Sequence, residues 1–206
     1  MFDIVHDHLE KVLSLYTQGP FFEILKAAKE KYFSLTGKLD EDKDEFEARM
    51  NCFNDWYVFH YRNEEGTRVI EEYIRKNRLD EELAHAFLNV NHSVFEFKVS
   101  LFTKTLVLKD LLHDKKVNLI KNHPNVSLVD GDLFVGRVIY YKQEYFLLPG
   151  ICTMPQGVKS TLMKQAKKVR KLNNFEEEMN FLLQLEALKT KSMHYSHIDP
   201  NKIFIF

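Results

Sequence analysis

Along Phe95-Glu-Phe-Lys-Val-Ser-Leu101, apolar and polar residues alternate strictly. A period of two is the pattern of a β-strand that buries one face. The chain before residue 92 instead carries apolar residues at spacings of three and four, which is the helical pattern. The change of period therefore predicts an N-terminal helical region over residues 1–92, followed by a β-region.

Four further short strands are predicted after this one, and the β-region is placed at residues 93–155. They are Thr105–Lys109, Lys116–Lys121, Leu133–Tyr141 and Tyr145–Leu148. Asp130-Gly131 is a strong turn signal, and Gly136 inside a strand indicates a bend or a bulge. Five short strands joined by tight turns are typical of a small, strongly bent antiparallel sheet or barrel.

The helical pattern returns after Pro155-Gln-Gly157, so residues 156–206 are predicted to form a helical hairpin and a terminal strand. Asn174, followed by glutamates, is a good start for the second helix. Ile203–Phe206 has the composition of a strand that closes an edge of the sheet. The sequence thus predicts an α+β fold in which the three segments pack into one structure.

Composition limits the possible compartments and partners. The chain has 206 residues and a formal net charge of −1, so only a local patch can attract nucleic acid or an anionic membrane. No apolar run approaches the ~20 residues of a membrane span, and the acidic N-terminus is unlike a signal peptide. Cys52 and Cys152 have no metal or redox spacing, which favours two buried thiols in a reducing compartment. We therefore expect a cytoplasmic protein with no cofactor.

One predicted helix carries a basic face. Its six cations are Lys159, Lys164, Lys167, Lys168, Arg170 and Lys171, and no acid lies between Gly157 and Phe175. Helical geometry places all six opposite the apolar stripe Val158–Val169, and such a face can bind phosphates by counterion release. No aromatic residue lies among the lysines, so stacking on bases is not indicated. The alternative is a solvated face balanced by the glutamates at 176–178.

This basic face predicts a non-enzymatic binding or adaptor protein that recognises nucleic acid or an acidic protein surface. Arg137, on a predicted strand, is a further candidate. It is expected either to pair with Asp110 or Asp132 in the interior or to contact an anion at the surface.

Two alternatives belong to other functional classes. A metal-dependent hydrolase would use His194, His197 and Asp199, or an N-terminal group of Asp3, His6, Asp7 and His8, because imidazoles and carboxylates are metal ligands. However, no glutamate follows the first histidine as in HExxH, so we expect no metal.

A cyclic-dinucleotide sensor of the PilZ type is the second alternative. It would use Arg75 and Arg78 ahead of Asn91-His-Ser93, although the arginine spacing is one residue short and Glu96 replaces a glycine. Motifs of nucleotide-binding loops and of serine hydrolases do not occur in the sequence.

Three stretches together resemble a known group of proteins: Phe53-Asn-Asp-Trp-Tyr-Val-Phe-His-Tyr61, Leu108-Lys-Asp-Leu-Leu112 and Gly131-Asp-Leu-Phe-Val-Gly-Arg137. Their order resembles bacterial proteins of unassigned function that often carry a C-terminal SEC-C zinc motif. This chain lacks the cysteine-rich SEC-C ending, so the resemblance implies a layout and no activity. Aromatic residues at helical spacing, as in the first stretch, are expected in the core rather than in a ligand-stacking site.

Overall fold

The computed structural model describes residues 2–38, 45–100, 105–121, 123 and 127–206. Within these residues, helices lie at both ends of the chain and strands lie between them, which confirms the predicted α+β class. The helices are α1 (Phe2–Tyr16), α2 (Phe22–Thr36), α3 (Phe46–Phe59), α4 (Val69–Asn77), α5 (Glu81–Leu88), α6 (Lys159–Leu172) and α7 (Phe175–His194). The strands are β1 (Asn91–Val99), β2 (Leu106–Asp110), β3 (Lys115–Asn118), β4 (Leu133–Tyr141), β5 (Glu144–Leu147) and β6 (Cys152–Thr153).

The sheet is antiparallel with the order β3-β2-β1-β4-β5, and β6 pairs with the first part of β4. A bridge between Leu119 and Tyr145 brings the end of β3 to β5, where the Ile120 amide donates to the Tyr145 carbonyl at 3.1 Å. The sheet therefore curls into a half-barrel, as the short strands and tight turns predict. The β4–β5 turn uses Lys142 and Gln143, both left-handed, with φ of 50° and 64°.

The concave face of the half-barrel forms a small apolar core, which we call the barrel core. It contains Phe95, Phe97, Leu108, Val117, Leu119, Phe134, Val138 and Leu147. Gly136 faces this core, where a Cβ would lie 2.8 Å from Cε2 of the Phe134 ring. Because Gly136 pairs regularly with Ser93, the predicted bulge is wrong; the glycine makes room for the ring.

The other face of the sheet packs on the helices in the helix-side core. β1 and β4 contribute Val94, Val135 and Ile139 to it, and α3 contributes the buried side chains of Trp56 and Tyr57. The aromatic residues of α3 thus belong to the core, as their spacing predicts. β4 supplies side chains to both cores, because successive residues of a strand point to opposite faces.

The predicted terminal strand is wrong. Pro200–Lys202 form a short 3-10 turn, and the Phe204 amide donates to the Pro200 carbonyl at 2.9 Å instead of pairing with the sheet. Phe204 is buried in the helix-side core, and the Phe206 ring lies 5.7 Å from the ring of Phe181 on α7. An apolar run of four residues has the same composition whether it joins a sheet or fills a groove between helices.

None of the helices in the described part of the chain combines the length and the apolar character needed to cross a membrane.

Candidate anion-binding surface

Helix α6 buries one face and exposes lysines on the other. Leu162, Ala166 and Val169 are buried, and four lysines on the opposite side are exposed: Lys164, Lys167, Lys168 and Lys171. The helix ends at Asn173, which adopts the left-handed conformation with φ of 47°. Asn174 then begins α7, where its side chain accepts from the Glu176 amide at 2.9 Å. The glutamates of residues 176–178 are therefore held in the first turn of α7, where the helix dipole favours acids.

The other two cations of α6, Lys159 and Arg170, are paired with acids of the sheet region. Lys159 Nζ lies 2.6 Å from Glu96 Oε1, and Arg170 Nη1 lies 2.9 Å from Asp114 Oδ2. Burial works against ionisation of Glu96, but hydrogen bonds from Lys159 and Lys98 outweigh it and lower the pKa of this carboxyl.

The four exposed lysines differ from these two cations. They have no carboxylate within 4.0 Å among the described residues. We call these four residues the lysine face.

Arg137 does not belong to the lysine face. It is fully buried, and its Nε donates to His60 Nδ1 at 3.4 Å. Strand alternation explains why it does not pair with Asp110: Arg137 points to the helix-side core, whereas Asp110 pairs in register with Phe95 of the barrel core. Asp110 instead accepts from Ser93 Oγ at 2.5 Å.

The remaining predicted partner, Asp132, is used elsewhere. Its Oδ2 accepts from the Val129 amide at 2.8 Å, and its Oδ1 accepts from Gln156 Nε2 at 2.6 Å. Neither predicted carboxylate partner therefore reaches Arg137, and the expectation of an exposed anion contact at this residue is corrected as well.

Around Arg137 lies a buried polar group that the sequence does not reveal, which we call the Arg137 cluster. It contains Arg137, His60, His92 and Asp55. The two imidazole rings have centroids 4.9 Å apart, and Asp55 Oδ2 accepts from the Gly150 amide at 2.9 Å. Arg137 Nη2 and both ring nitrogens of His92 are buried and find no hydrogen-bond partner among the residues that the structure describes.

Burial and the charge of Arg137 fix the protonation states of the Arg137 cluster. Burial lowers the pKa of His60 and of His92 well below 6.5, and the guanidinium of Arg137 lowers both further. Burial raises the pKa of Asp55 to about 6 although Arg137 opposes the rise. At neutral pH both histidines are therefore neutral, and Asp55 is largely ionised.

A second buried group, the Arg49 cluster, joins α2, α3 and α7. Arg49 Nη1 lies 3.0 Å from Glu186 Oε2, which also accepts from the Tyr32 hydroxyl. Arg49 Nη2 donates to Thr36 Oγ1 at 2.7 Å. Cys52 and Cys152 are buried free thiols, as expected, and burial raises the pKa of Cys152 to about 12.

The histidines and acids considered as metal ligands do not meet. His194 Nε2 lies 3.0 Å from the Lys38 carbonyl oxygen, and Asp199 accepts from the Asn201 amide at 2.9 Å. His197 has an edge contact with the Tyr195 ring. In the ranges that the structure describes, no three His, Cys, Asp or Glu side chains are grouped so that they could hold a metal ion.

The N-terminal histidines have contacts of their own, and so does Ser93 of the predicted second-messenger site. His6 lies 3.1 Å from Glu10, and His8 Nδ1 lies 2.7 Å from the Tyr73 hydroxyl. Ser93 is fully buried on Asp110 and so faces the interior.

A family model described as a family of unknown function (DUF7986) matches residues 21–184. No curated protein and no solved structure matches the chain. The matched stretch includes all of α6 and all six strands given above.

Proposed function

We propose that this chain, which belongs to the DUF7986 family, is a non-enzymatic binding or adaptor protein that recognises an anionic partner through the lysine face. The observation that carries the proposal is the group of four exposed lysines without an acidic partner among the described residues, on a helix that contains no acid. A partner can engage these ammonium groups without first breaking an ion pair inside the protein.

The construction of α6 supports this role. Its buried stripe fixes the helix against the core, so the lysines stay together on one side of a rigid element. Lysine is a strongly hydrated point charge, which suits phosphates or carboxylates without demanding one geometry. The net charge of the whole chain is −1, so this attraction is local and falls off within a Debye length of about 8 Å at physiological salt.

Heparin chromatography tests the lysine face. We expect the protein to be retained on heparin and released by salt, and we expect the triple variant Lys164→Glu, Lys167→Glu, Lys171→Glu to elute without retention. A matched control changes three exposed lysines of α1 and α2: Lys11→Glu, Lys26→Glu and Lys29→Glu. Both variants have the same net charge, so retention of the control alone assigns binding to α6. Unchanged elution of the α6 variant would refute the proposal.

The class of partner is decided by comparing a 20-base-pair DNA duplex with a poly-glutamate peptide in an anisotropy titration. For a phosphate backbone, each lysine contact removed lowers the slope of log K against log salt by about one. The triple variant should therefore lose about three units of slope on the duplex. Binding to the peptide alone assigns an acidic protein surface as the partner.

Two broader expectations accompany this proposal. A cytoplasmic setting is supported by two buried free thiols. The resemblance to proteins that carry SEC-C motifs stays a prediction and assigns no role to any residue of this chain.

A further inference from the structure

A pocket of about 320 Å³ opens where α3 and α5 end and α7 begins. Its apolar wall is formed by Phe59, Leu88, Val90 and Phe175, and its polar wall includes His60, Arg62 and Arg68. We call it the helix-end pocket. Its volume falls within the range of small-molecule sites. Apolar and polar residues divide its lining about equally, so it can meet an apolar surface and a charged group of one ligand.

His60 offers this pocket a hydrogen-bond donor. Arginine has no acceptor, so Arg137 Nε must donate to His60 Nδ1 across their 3.4 Å separation. The neutral imidazole then carries its proton on Nε2. The only ring nitrogen that Arg137 leaves free to meet a ligand is therefore a donor.

The two pocket arginines share one carboxylate. Arg68 Nη2 lies 2.9 Å from Glu71 Oε1, and Arg62 Nη1 lies 3.8 Å from Glu71 Oε2. Arg62 Nη1 also donates to the Gly66 carbonyl at 2.6 Å, which holds its guanidinium at the loop before α4. Two positive charges against one negative charge leave the polar wall with a surplus of one positive charge.

Arg137, which contacts His60, has an unused hydrogen-bond donor. The side chain is fully buried, it has no carboxylate in contact among the described residues, and its Nη2 has no partner there. In folded proteins, a buried donor of this kind calls for an explanation, and functional sites are one place where it occurs. Here the same guanidinium donates through Nε to His60, which lines the helix-end pocket.

We propose that the helix-end pocket binds a small molecule that carries an anionic group on an apolar body. The anionic group accepts hydrogen bonds from His60 Nε2 and from the guanidiniums of Arg62 and Arg68. The apolar body lies between Leu88 and Phe175, whose ring is 71% exposed and is available to cover it. This site is separate from the lysine face and needs none of its residues.

Two dyes with the same apolar body test both halves of the proposal. Anilinonaphthalene sulfonate carries an anion, and N-phenyl-1-naphthylamine is its uncharged parent. We expect the sulfonate to bind one site per chain and the parent to bind at least about tenfold more weakly, since tenfold corresponds to one charge-assisted contact of about 1.4 kcal/mol. Equal affinity for the two dyes would overturn the proposal.

Variants of exposed residues locate the dye without endangering the fold. Phe175→Ala and Arg62→Ala should each weaken sulfonate binding at least about fivefold, because each removes one side chain of the pocket wall. The matched controls Phe22→Ala and Arg75→Ala change an exposed phenylalanine and an exposed arginine outside the pocket and should bind as the original chain does.

The triple glutamate variant of α6 should also keep sulfonate binding, which separates this site from the lysine face. Loss of binding in that variant, or equal affinity of the pocket variants and their controls, would place the dye elsewhere and refute the proposed site.

Discussion

The helix-side core buries two arginines, and the protein treats them differently. Arg49 is 2% exposed and reaches a carboxylate and a hydroxyl at 3.0 Å and 2.7 Å. Arg137 is 0% exposed, and its Nε donates across 3.4 Å to a neutral imidazole. Among the described residues, each arginine leaves a nitrogen without a partner, and only Arg49 has an acid in contact.

The difference is that the Arg49 cluster contains a carboxylate in contact with its arginine, whereas the Arg137 cluster does not. A buried ion pair is tolerated when its two charges are in contact and hydrogen bonds support them. The Arg49 cluster has such a contact and connects three helices, although Arg49 Nε and Glu186 Oε1 have no partner among the described residues. In the Arg137 cluster, the carboxylate of Asp55 feels the charge of Arg137 but accepts its hydrogen bond from the Gly150 amide. Both clusters adjoin a pocket, since Arg49 lines one of about 470 Å³ and His60 lines the helix-end pocket. The helix-end pocket differs in lying beside the buried arginine that has no carboxylate in contact among the described residues, so an external acceptor could supply one there.

The largest expected effect is on the Arg49 cluster. Arg49→Ala removes the cation in contact with the buried side chain of Glu186, whose remaining side-chain partner among the described residues is the Tyr32 hydroxyl. We therefore expect a loss of about 3–5 kcal/mol in the free energy of unfolding. Urea denaturation monitored by the Trp56 fluorescence measures this loss.

The control for this prediction is the double variant Arg49→Met, Glu186→Leu. Replacing both charges with apolar side chains leaves no unpaired ion at this site, so the double variant should recover most of the stability that Arg49→Ala loses. A loss below about 1 kcal/mol for Arg49→Ala would remove the contrast between the two arginines.

An intermediate effect is expected at the Arg137 cluster from Gly150→Ala. A Cβ at this position would clash with Asp55 Oδ2 and lie 2.9 Å from the Asn51 carbonyl oxygen. We expect a loss of about 1–3 kcal/mol in the free energy of unfolding, because the backbone must shift and weaken the hydrogen bond to Asp55. Thermal unfolding measures it.

Gly157→Ala is the matched control, since the nearest atom to its Cβ would be Asn201 Nδ2 at 3.6 Å. Equal melting temperatures of the two alanine variants would show that Gly150 is not confined by Asp55.

The smallest effect is expected from His92→Leu, and it has the opposite sign. Both ring nitrogens of His92 are buried without partners, so an apolar side chain of similar size should raise the free energy of unfolding by about 1 kcal/mol at pH 7.5. A loss of stability would instead mean that the imidazole has a partner and that the cluster is complete.

The same variant tests the lowered pKa of His92. As pH falls below 6.5, the unfolded chain protonates this histidine and the folded chain does not, so acid favours unfolding by up to about 1.4 kcal/mol per pH unit. The gain of His92→Leu over the original chain should therefore grow between pH 6.5 and pH 5. Asp55, with a pKa raised to about 6, takes up its proton first in the folded state and acts in the opposite direction in both proteins, so it cancels in the comparison.

Local patterns in the sequence predict the elements and their faces well. The alternation in β1 and β4 and the stripe of α6 each report which side is buried, because one face of a regular element meets the core. The positive lysine face follows from the same geometry. These local patterns do not indicate which residue of another element each buried side chain contacts.

The buried clusters show this limit. Arg49 and Glu186 are 137 residues apart in sequence, and neither α3 nor α7 contains a signal for their contact. The pairing of Lys159 with Glu96 and of Arg170 with Asp114 likewise depends on how the sheet meets α6. The two-residue strand β6 is too short to show a period. The terminal apolar run also has no period that would distinguish a sheet edge from a groove between helices.

β4 has a consequence for how the protein folds. Its Phe134 and Val138 complete the barrel core, and its Val135 and Ile139 complete the helix-side core. Neither core can be dry before this strand is in place, so half-barrel and helices must consolidate together. We therefore expect no stable intermediate in which one core is formed and the other is not, so unfolding should be a single cooperative transition. The β4 amide hydrogens should be among the last to exchange.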